Sequence, residues 1–218
     1  KGFQGKLNLT FKGAAGQSFG AFLIQGMNIV LIGEANDYVG KGINGGLITV
    51  IPPCTKENSS TQVILGNTCL YGATGGQLFA LGRAGERFAV RNSGVEAVIE
   101  GTGDHCCEYM TGGIVVVLGP TGRNIGAGMT GGIAFLLDED YAIAKKTNQE
   151  IVELHELTTP EQESLLKPLL EKHFTQTKSL KAKQILSGWD QWKRKFKVVV
   201  PPSEKSKVGL NINEKVLT

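Results

Sequence analysis

The sequence predicts a mostly β protein, a parallel β-helix of about six to seven coils followed by a C-terminal helical tail. Glycines recur every 18 or 19 residues, the positions after them form fixed apolar columns, and every glycine except Gly188 and Gly209 precedes Asp138. We therefore predict a scaffold over residues 1–138, a helical tail over 139–202 that packs on or caps it, and a disordered end over 203–218.

Six glycines carry the repeat, at spacings of 19, 30, 19, 18 and 19 residues, and the long interval holds an 11-residue polar insertion at 52–62. These glycines are Gly26, Gly45, Gly75, Gly94, Gly112 and Gly131. The third and fifth positions after each glycine are always apolar and the second is mixed, as in a strand with one face inward. The period is too short for a βαβ unit, which needs about 30 residues, and too fixed for a β-sandwich.

Two segments spell the G-x-G-x-x-G fingerprint of a dinucleotide-binding turn. They lie at Gly40, Gly42 and Gly45 and at Gly126, Gly128 and Gly131, with weaker copies at 72–76 and 109–113. A phosphate-binding turn must lead into a helix, but these lead into the predicted strands LITVI and IAFLL. We interpret the glycines as corners, where a side chain would need positive φ or would collide with the next coil.

The segment GDHCCEYM, residues 103–110, contains residue types found in metal sites and Cys/His nucleophiles. These are Asp104, His105, Cys106, Cys107 and Glu108. Adjacent cysteines should point to opposite faces of a strand, and there is no second Cys/His pair at zinc-like spacing. Cys69 and Cys106 share an apolar column two coils apart, about 9–10 Å, which is too far for a disulfide. We interpret them as small core residues.

The other polar candidates have plainer interpretations. We expect His155 and His173 on the surface of the helical tail. The carboxylates of Asp138 and Asp140 follow the last strand and suit a turn. Three arginines near Glu86 could bind an anion, but a solvated or interdomain charge network is the default; they are Arg83, Arg87 and Arg91. We therefore predict no catalytic, cofactor-binding or metal-binding residue.

The tail begins with a strong helix signal. In TTPEQESLLKPLLEKHF, Thr159 is the predicted N-cap, with Pro160 at N1 and Gln162 at N3 completing a capping box. An apolar stripe follows at helical spacing, formed by Leu165, Leu166, Leu169 and Leu170. We predict a second helix over 179–189 and a short strand within 197–202.

Composition excludes some partners. The net charge of +3 is too small to predict nucleic acid binding, and no apolar run is long enough to span a membrane. Four cysteines without a secretory signal indicate reduced thiols inside a cell or organelle. Because the chain begins at Lys1, we expect a piece of a longer polypeptide.

Five long segments together resemble one known family: GAAGQSFGAF (13–22), GEANDYVGKGINGG (33–46), GNTCLYGATGGQLFA (66–80), AGERFAVRNSGVEAVIEGTGDHCCEYMTGG (84–113) and NIGAGMTGGIAFLLDED (124–140). They look like the C-terminal domain of the large chain of glutamate synthase, which is named for its G-x-G-x-G repeats. The resemblance covers 3–202 and implies a right-handed β-helix. The tail at 185–205 is similar to the ferredoxin-dependent enzymes of cyanobacteria and plastids, with the NADPH-dependent form as the alternative.

The resemblance implies a division of labour within a larger enzyme. The family makes glutamate from glutamine and 2-oxoglutarate, with FMN and a 3Fe-4S cluster as cofactors. We expect neither cofactor in this chain, whose partners would be the amidotransferase and FMN-binding synthase domains, with ferredoxin for the parent enzyme in a plastid stroma or cyanobacterial cytoplasm. Two alternatives are a free-standing β-helical interaction module and the related β-helix of formylmethanofuran dehydrogenases.

Overall fold

The computed structural model describes residues 4–54 and 61–210. Seven strands, one from each coil, lie side by side in parallel and confirm the predicted β-helix. They are β1 (Leu7–Ala15), β2 (Met27–Ala35), β3 (Asn44–Ile51), β5 (Gly75–Ala84), β6 (Ser93–Gly101), β7 (Thr111–Val117) and β8 (Gly131–Leu137). The short strand β4 (Val63–Leu65) follows the insertion and pairs with β2 and β5.

The strand register confirms the apolar columns. The third residues after the turn glycines are successive partners, namely Ile29, Ile48, Leu78, Ala97, Val115 and Ala134. The fifth residues also pair in order, namely Leu31, Val50, Ala80, Ile99, Val117 and Leu136. Both columns are buried in one core inside the coils, so the sequence period corresponds to one turn of the β-helix.

Between strands, the chain turns through an arc in which three alternate residues have positive φ. In the second coil these are Tyr38, Gly40 and Gly42, with φ of 62, 66 and 62°. Lys41 N donates to Tyr38 O and Ile43 N to Gly40 O, both at 3.1 Å. Each arc is therefore a pair of overlapping turns with positive φ at the third residue, the type II pattern.

Glycines at strand starts allow close approach of neighbouring coils. A Cβ on Gly131 would lie 2.2 Å from Thr111 O in the preceding coil. A Cβ on Gly94 or Gly112 would lie 2.3 Å from a backbone oxygen of the coil before it. Real Cβ atoms do not approach so closely, which confirms the predicted steric role at these positions.

The tail covers the outer face of the sheet and the end of the last coil. It comprises α1 (Ile143–Lys146), β9 (Glu153–Glu156), α2 (Pro160–Thr177), α3 (Leu180–Ser187), α4 (Trp189–Trp192) and β10 (Phe196–Val200). Helix α2 contacts β3, β5 and β6, and its apolar stripe belongs to a second core between helices and sheet. β10 pairs antiparallel with β8 and then with β9.

Most local predictions for the tail are confirmed, with one difference in the second helix. The capping box at Thr159 is present, because Gln162 N donates to Thr159 Oγ1 and Gln162 Oε1 accepts from Thr159 N. The second helix ends earlier than predicted, at Ser187, and α4 follows after a break at Gly188.

The prediction of disorder from Ser203 is wrong for residues 203–210. A 3-10 helix spans Pro202–Val208 and buries Val208, whose carbonyl accepts from Thr159 Oγ1 at 2.7 Å. The remainder of that prediction, residues 211–218, lies outside the described residues. None of the helices within the described ranges is both long and apolar enough to cross a membrane.

Candidate functional site

The fingerprint glycines lie in the arcs and at strand starts. Gly42 and Gly128 occupy the third positive-φ position of their arcs, and each lies under an aromatic ring from the preceding coil. An added Cβ would lie 2.6 Å from Phe22 Cε1 at Gly42 and 2.4 Å from Tyr109 Cδ1 at Gly128. The backbone then enters a strand in both places, so neither turn leads into a helix as a phosphate-binding turn does.

The cysteines are core residues, but the predicted geometry of the vicinal pair is wrong. Cys106 and Cys107 lie in an arc rather than a strand, and positive φ at Cys107 turns both side chains inward. Their Sγ atoms are 3.6 Å apart and both thiols are free. The hydrogen bond with Cys106, together with burial, raises the pKa of Cys107 well above its ordinary value. Burial raises the pKa of Cys69 to about 12, so neither thiol is a ready nucleophile.

The charged residues around this arc pair with one another, one pair within the arc and two between coils. Arg87 Nη2 lies 3.3 Å from Glu108 Oε2, and His105 Nδ1 lies 3.6 Å from Glu108 Oε1. Asp104 Oδ1 accepts from Arg123 N at 2.7 Å, and this backbone hydrogen bond is the main reason that the pKa of Asp104 is lowered. The Arg87–Glu108 and Asp104–Arg123 contacts tie successive coils together across the outer surface.

The other arginine and carboxylate candidates have structural positions. Arg91 is exposed and Arg83 half-buried, and Glu86 N is hydrogen-bonded to Asn67 Oδ1 of the preceding coil. Asp138 Oδ1 accepts from the backbone N–H groups of Ala142 and Ile143, which is the predicted turn chemistry. Asp140 pairs with Lys146 at 3.6 Å.

The surface prediction for the histidines is wrong for His173. This side chain lies on the buried face of α2, one helical turn beyond Leu169 and Leu170, and is completely inaccessible. His155 lies in β9 rather than in a helix, and its Nε2 is 2.8 Å from Glu153 Oε2. Hydrogen bonds from Lys205 and His155 lower the pKa of Glu153 although burial opposes them.

A buried polar cluster, which the sequence reasoning missed, joins the tail to the sheet. Glu100 Oε1 lies 2.9 Å from His173 Nε2 and accepts a hydrogen bond from Ser179 Oγ. Ser179 Oγ also accepts from Ala182 N at 3.0 Å and so caps α3. We call Glu100, His173 and Ser179 the tail cluster. The Ser179 hydroxyl donates to Glu100, whereas a catalytic serine is hydrogen-bonded to its histidine base. We therefore interpret the cluster as one that positions helices.

A signal for the tail cluster was present in the repeat. Glu100 occupies the sixth position after its turn glycine, and every other member of that column is apolar: Ile32, Ile51, Leu81, Leu118 and Leu137. A single carboxylate in an apolar column requires a buried partner, which α2 and α3 supply.

A groove of about 540 Å³ lies beside α2 on the outer face of the first five coils. Its polar lining comprises Lys6, Gln25, Asn28, Gln77, Glu96 and Lys172, with glycines between them. Gln77 Nε2 donates to Glu96 Oε2 at 2.7 Å. The lining described includes no histidine or cysteine, so the groove suits a bound polar segment better than covalent or proton-transfer chemistry.

Within residues 4–54 and 61–210, no group of three or more His, Cys, Asp or Glu side chains could hold a metal ion. The three buried cysteines do not form a ligand set, and the raised pKa values of Cys69 and Cys107 disfavour thiolate. The described residues therefore do not fit an iron–sulfur cluster.

The fold and these contacts define a β-helical protein that uses its glycines and polar pairs to stack coils and dock a helical tail. The GXGXG motif family model matches residues 1–202. The chain belongs to the GXGXG motif family.

Relatives that share this region are much longer than the chain. It is 62% identical over 203 residues to the ferredoxin-dependent glutamate synthase of Antithamnion sp., covering 93% of this chain and 13% of that protein. It is 61% identical over 205 residues to ferredoxin-dependent glutamate synthase 1 of Arabidopsis thaliana, again 93% and 13%. Over 223 residues it is 57% identical to ferredoxin-dependent glutamate synthase 2 of Synechocystis sp., covering 100% and 14%. The chain thus spans about one eighth of these relatives.

Proposed function

We propose that the chain is the C-terminal scaffold domain of a ferredoxin-dependent glutamate synthase and supplies no reacting group of its own. The parent enzyme would convert glutamine and 2-oxoglutarate to glutamate with electrons from reduced ferredoxin. The similarity to enzymes of that name over 93% or more of the chain carries this proposal. It also favours ferredoxin over NADPH as the electron donor.

The physical character of the domain supports a scaffold role. Two apolar cores, one inside the coils and one under the helices, fix the same sheet from both faces. Such a stacked body is stiff, and it presents long lateral surfaces to neighbours. The polar groove and the inter-coil ion pairs lie on those surfaces.

The chemistry would belong to the rest of the parent polypeptide. An iron–sulfur cluster would be held outside the described residues, because these do not fit it. FMN would be held by the FMN-binding synthase domain. The amidotransferase and FMN-binding synthase domains would pack against the β-helix and be held in fixed relative positions. A relative from Spinacia oleracea that is named as chloroplastic and the relative from Synechocystis sp. support a plastid stroma or cyanobacterial cytoplasm as the location.

Two measurements test the proposal. The purified 218-residue chain should give β-rich circular dichroism with no flavin absorbance, glutaminase activity or glutamate formation. In the full-length enzyme, Glu100→Ala should loosen the tail and raise the ammonia released per glutamate formed, because the reaction domains lose a rigid support. Gly16→Ala is the control, since Gly16 is not among the glycines with positive φ and a Cβ there meets nothing within 4 Å. Glutamate formation by the isolated chain would contradict the assignment.

A further inference from the structure

The two ends of the β-helix differ in whether further strands cover them. At the C-terminal end, β10 pairs with β8 and β9 pairs with β10, so two antiparallel strands cover the last coil. At the N-terminal end, β1 pairs only with β2 among the described residues. An uncovered strand edge is a template for pairing with another chain segment.

Apolar side chains are exposed at that N-terminal end. Leu9 and Phe11 continue the inner columns, yet they are 37% and 43% exposed. Their partners in the second coil, Ile29 and Leu31, are 4% and 1% exposed. We call this surface the open end, and it comprises Leu7, Leu9, Phe11, Phe22 and Ile24 together with the outer edge of β1. Several exposed apolar side chains in one coil are typical of an interaction site.

The backbone of β1 offers hydrogen bonds on the same side. Leu7 N donates to Gly26 O, and Ala15 O accepts from Asn36 N, so odd-numbered residues direct their peptide groups toward the second coil. Because peptide groups alternate along a strand, those of Asn8, Thr10 and Lys12 face away from it. The open end therefore combines an apolar surface with a row of peptide groups that have no strand partner among residues 4–54 and 61–210.

We propose that the open end binds an amphipathic β-strand from another part of the parent polypeptide. The structure contains a precedent at its other end, where β10 adds to β8 and directs Val199 into the interior beside Ala134. The incoming strand would place apolar side chains over Leu9 and Phe11 and polar ones on the outer face. This inference rests on the proposed function, because it requires the chain to be part of a longer polypeptide.

The lysines in and beside β1 indicate the charge of the strand that would pair with it. Within the described part of the chain, no acidic side chain lies at ion-pair distance from Lys6 or Lys12. A second copy of β1 paired antiparallel about Leu9 would set Lys6 of one copy opposite Lys12 of the other, and facing like charges destabilise a strand pair. A strand of different sequence with acidic residues on its outer face fits better.

Residue-resolved hydrogen exchange on the full-length enzyme and on the 218-residue chain tests the proposal. The amides of Asn8, Thr10 and Lys12 should exchange at least about tenfold more slowly in the full-length enzyme, the factor expected when a free amide gains a strand partner. The amides of Leu9 and Phe11 already face β2 and are the internal control. Equally fast exchange of the outward amides in both proteins would overturn the proposal.

A pair of substitutions gives a second readout. Thr10→Pro removes an outward N–H without removing a bond to β2, whereas Thr10→Val keeps that N–H. Thr10→Pro should lower the thermal midpoint of the full-length enzyme more than Thr10→Val does, and more than it lowers that of the isolated chain. Equal shifts for the two variants in the full-length enzyme would refute strand addition.

The outcomes separate this inference from the proposed function. Fast outward amides in a full-length enzyme that makes glutamate would overturn only the strand partner. Protection that appears in the isolated chain and rises with its concentration would assign the surface to a second copy. Glutamate formation by the isolated chain would overturn the scaffold function itself, whatever occupies the open end.

Discussion

Gly72 and Gly128 occupy the same position in two arcs, with φ of 61 and 66°, but only one has a neighbour that an added methyl group would strike. At Gly72 a Cβ has nothing within 4 Å, whereas at Gly128 it would lie 2.4 Å from Tyr109 Cδ1. Gly72→Ala should therefore cost only the left-handed backbone strain, about 1.5 kcal/mol. Gly128→Ala should cost about 1 kcal/mol more, because the Tyr109 ring must leave its rotamer.

Urea unfolding of the 218-residue chain, followed by circular dichroism, would measure both costs. In a double-mutant cycle, Tyr109→Ala removes the collision, so the extra cost of Gly128→Ala should disappear and leave a coupling of about 1 kcal/mol. Tyr109 is half exposed, so its own truncation should be mild. Equal costs at Gly72 and Gly128, or no coupling with Tyr109, would refute the steric explanation of these fingerprint glycines.

Three further predictions concern other contacts. Gly131→Val should lower the free energy of unfolding more than Gly72→Ala or Gly128→Ala does, because a Cβ at Gly131 meets the backbone oxygen of Thr111, which cannot rotate away as a side chain can. The fall in its thermal midpoint should be the same with and without added nucleotide. Ser179→Ala should lower the free energy of unfolding by at least about 2 kcal/mol, since it removes a helix cap and a hydrogen bond to the buried Glu100; an effect below about 0.5 kcal/mol, the size seen at ordinary surface sites, would contradict this. The pKa of Glu163 is lowered, first by the hydrogen bond from Lys193, so its stabilisation is present above its unfolded pKa and lost as the pH falls through the folded value. Glu163→Gln should flatten the acid-side decline in unfolding midpoint, and an unchanged decline would count against the pairing.

The β-helix could be predicted because its strongest constraint is periodic. Each coil must place apolar residues at the same two inward positions and let neighbouring coils approach at strand starts. Ile29 and Ile48, which are partners in adjacent strands, therefore show the same apolar requirement one period apart in the sequence. The start of α2 could also be predicted, because the capping box at Thr159 involves only residues that are close in sequence.

The errors arose where the outcome depended on packing between distant segments. Nothing near His173 in the sequence reveals that α2 lies on the sheet, so its burial beside Glu100 was missed. The repeat predicts a strand for the vicinal cysteines, because apolar columns do not reveal the alternating positive φ of the arcs. The order at Val208 depends on Thr159, almost 50 residues earlier, which a local reading of a polar segment cannot detect.

The strand order β8-β10-β9 bears on how the protein folds during synthesis. Each coil up to β8 can pair with the one made just before it, so those closures bridge shorter stretches of chain than the pairing of β10 with β8 does. The edge of β8 must wait until α2 and α3 have emerged and β10 follows them. Helices, last coil and β10 should therefore form one cooperative unit that closes last, and native-state hydrogen exchange should show the amides of α2 and β10 opening together.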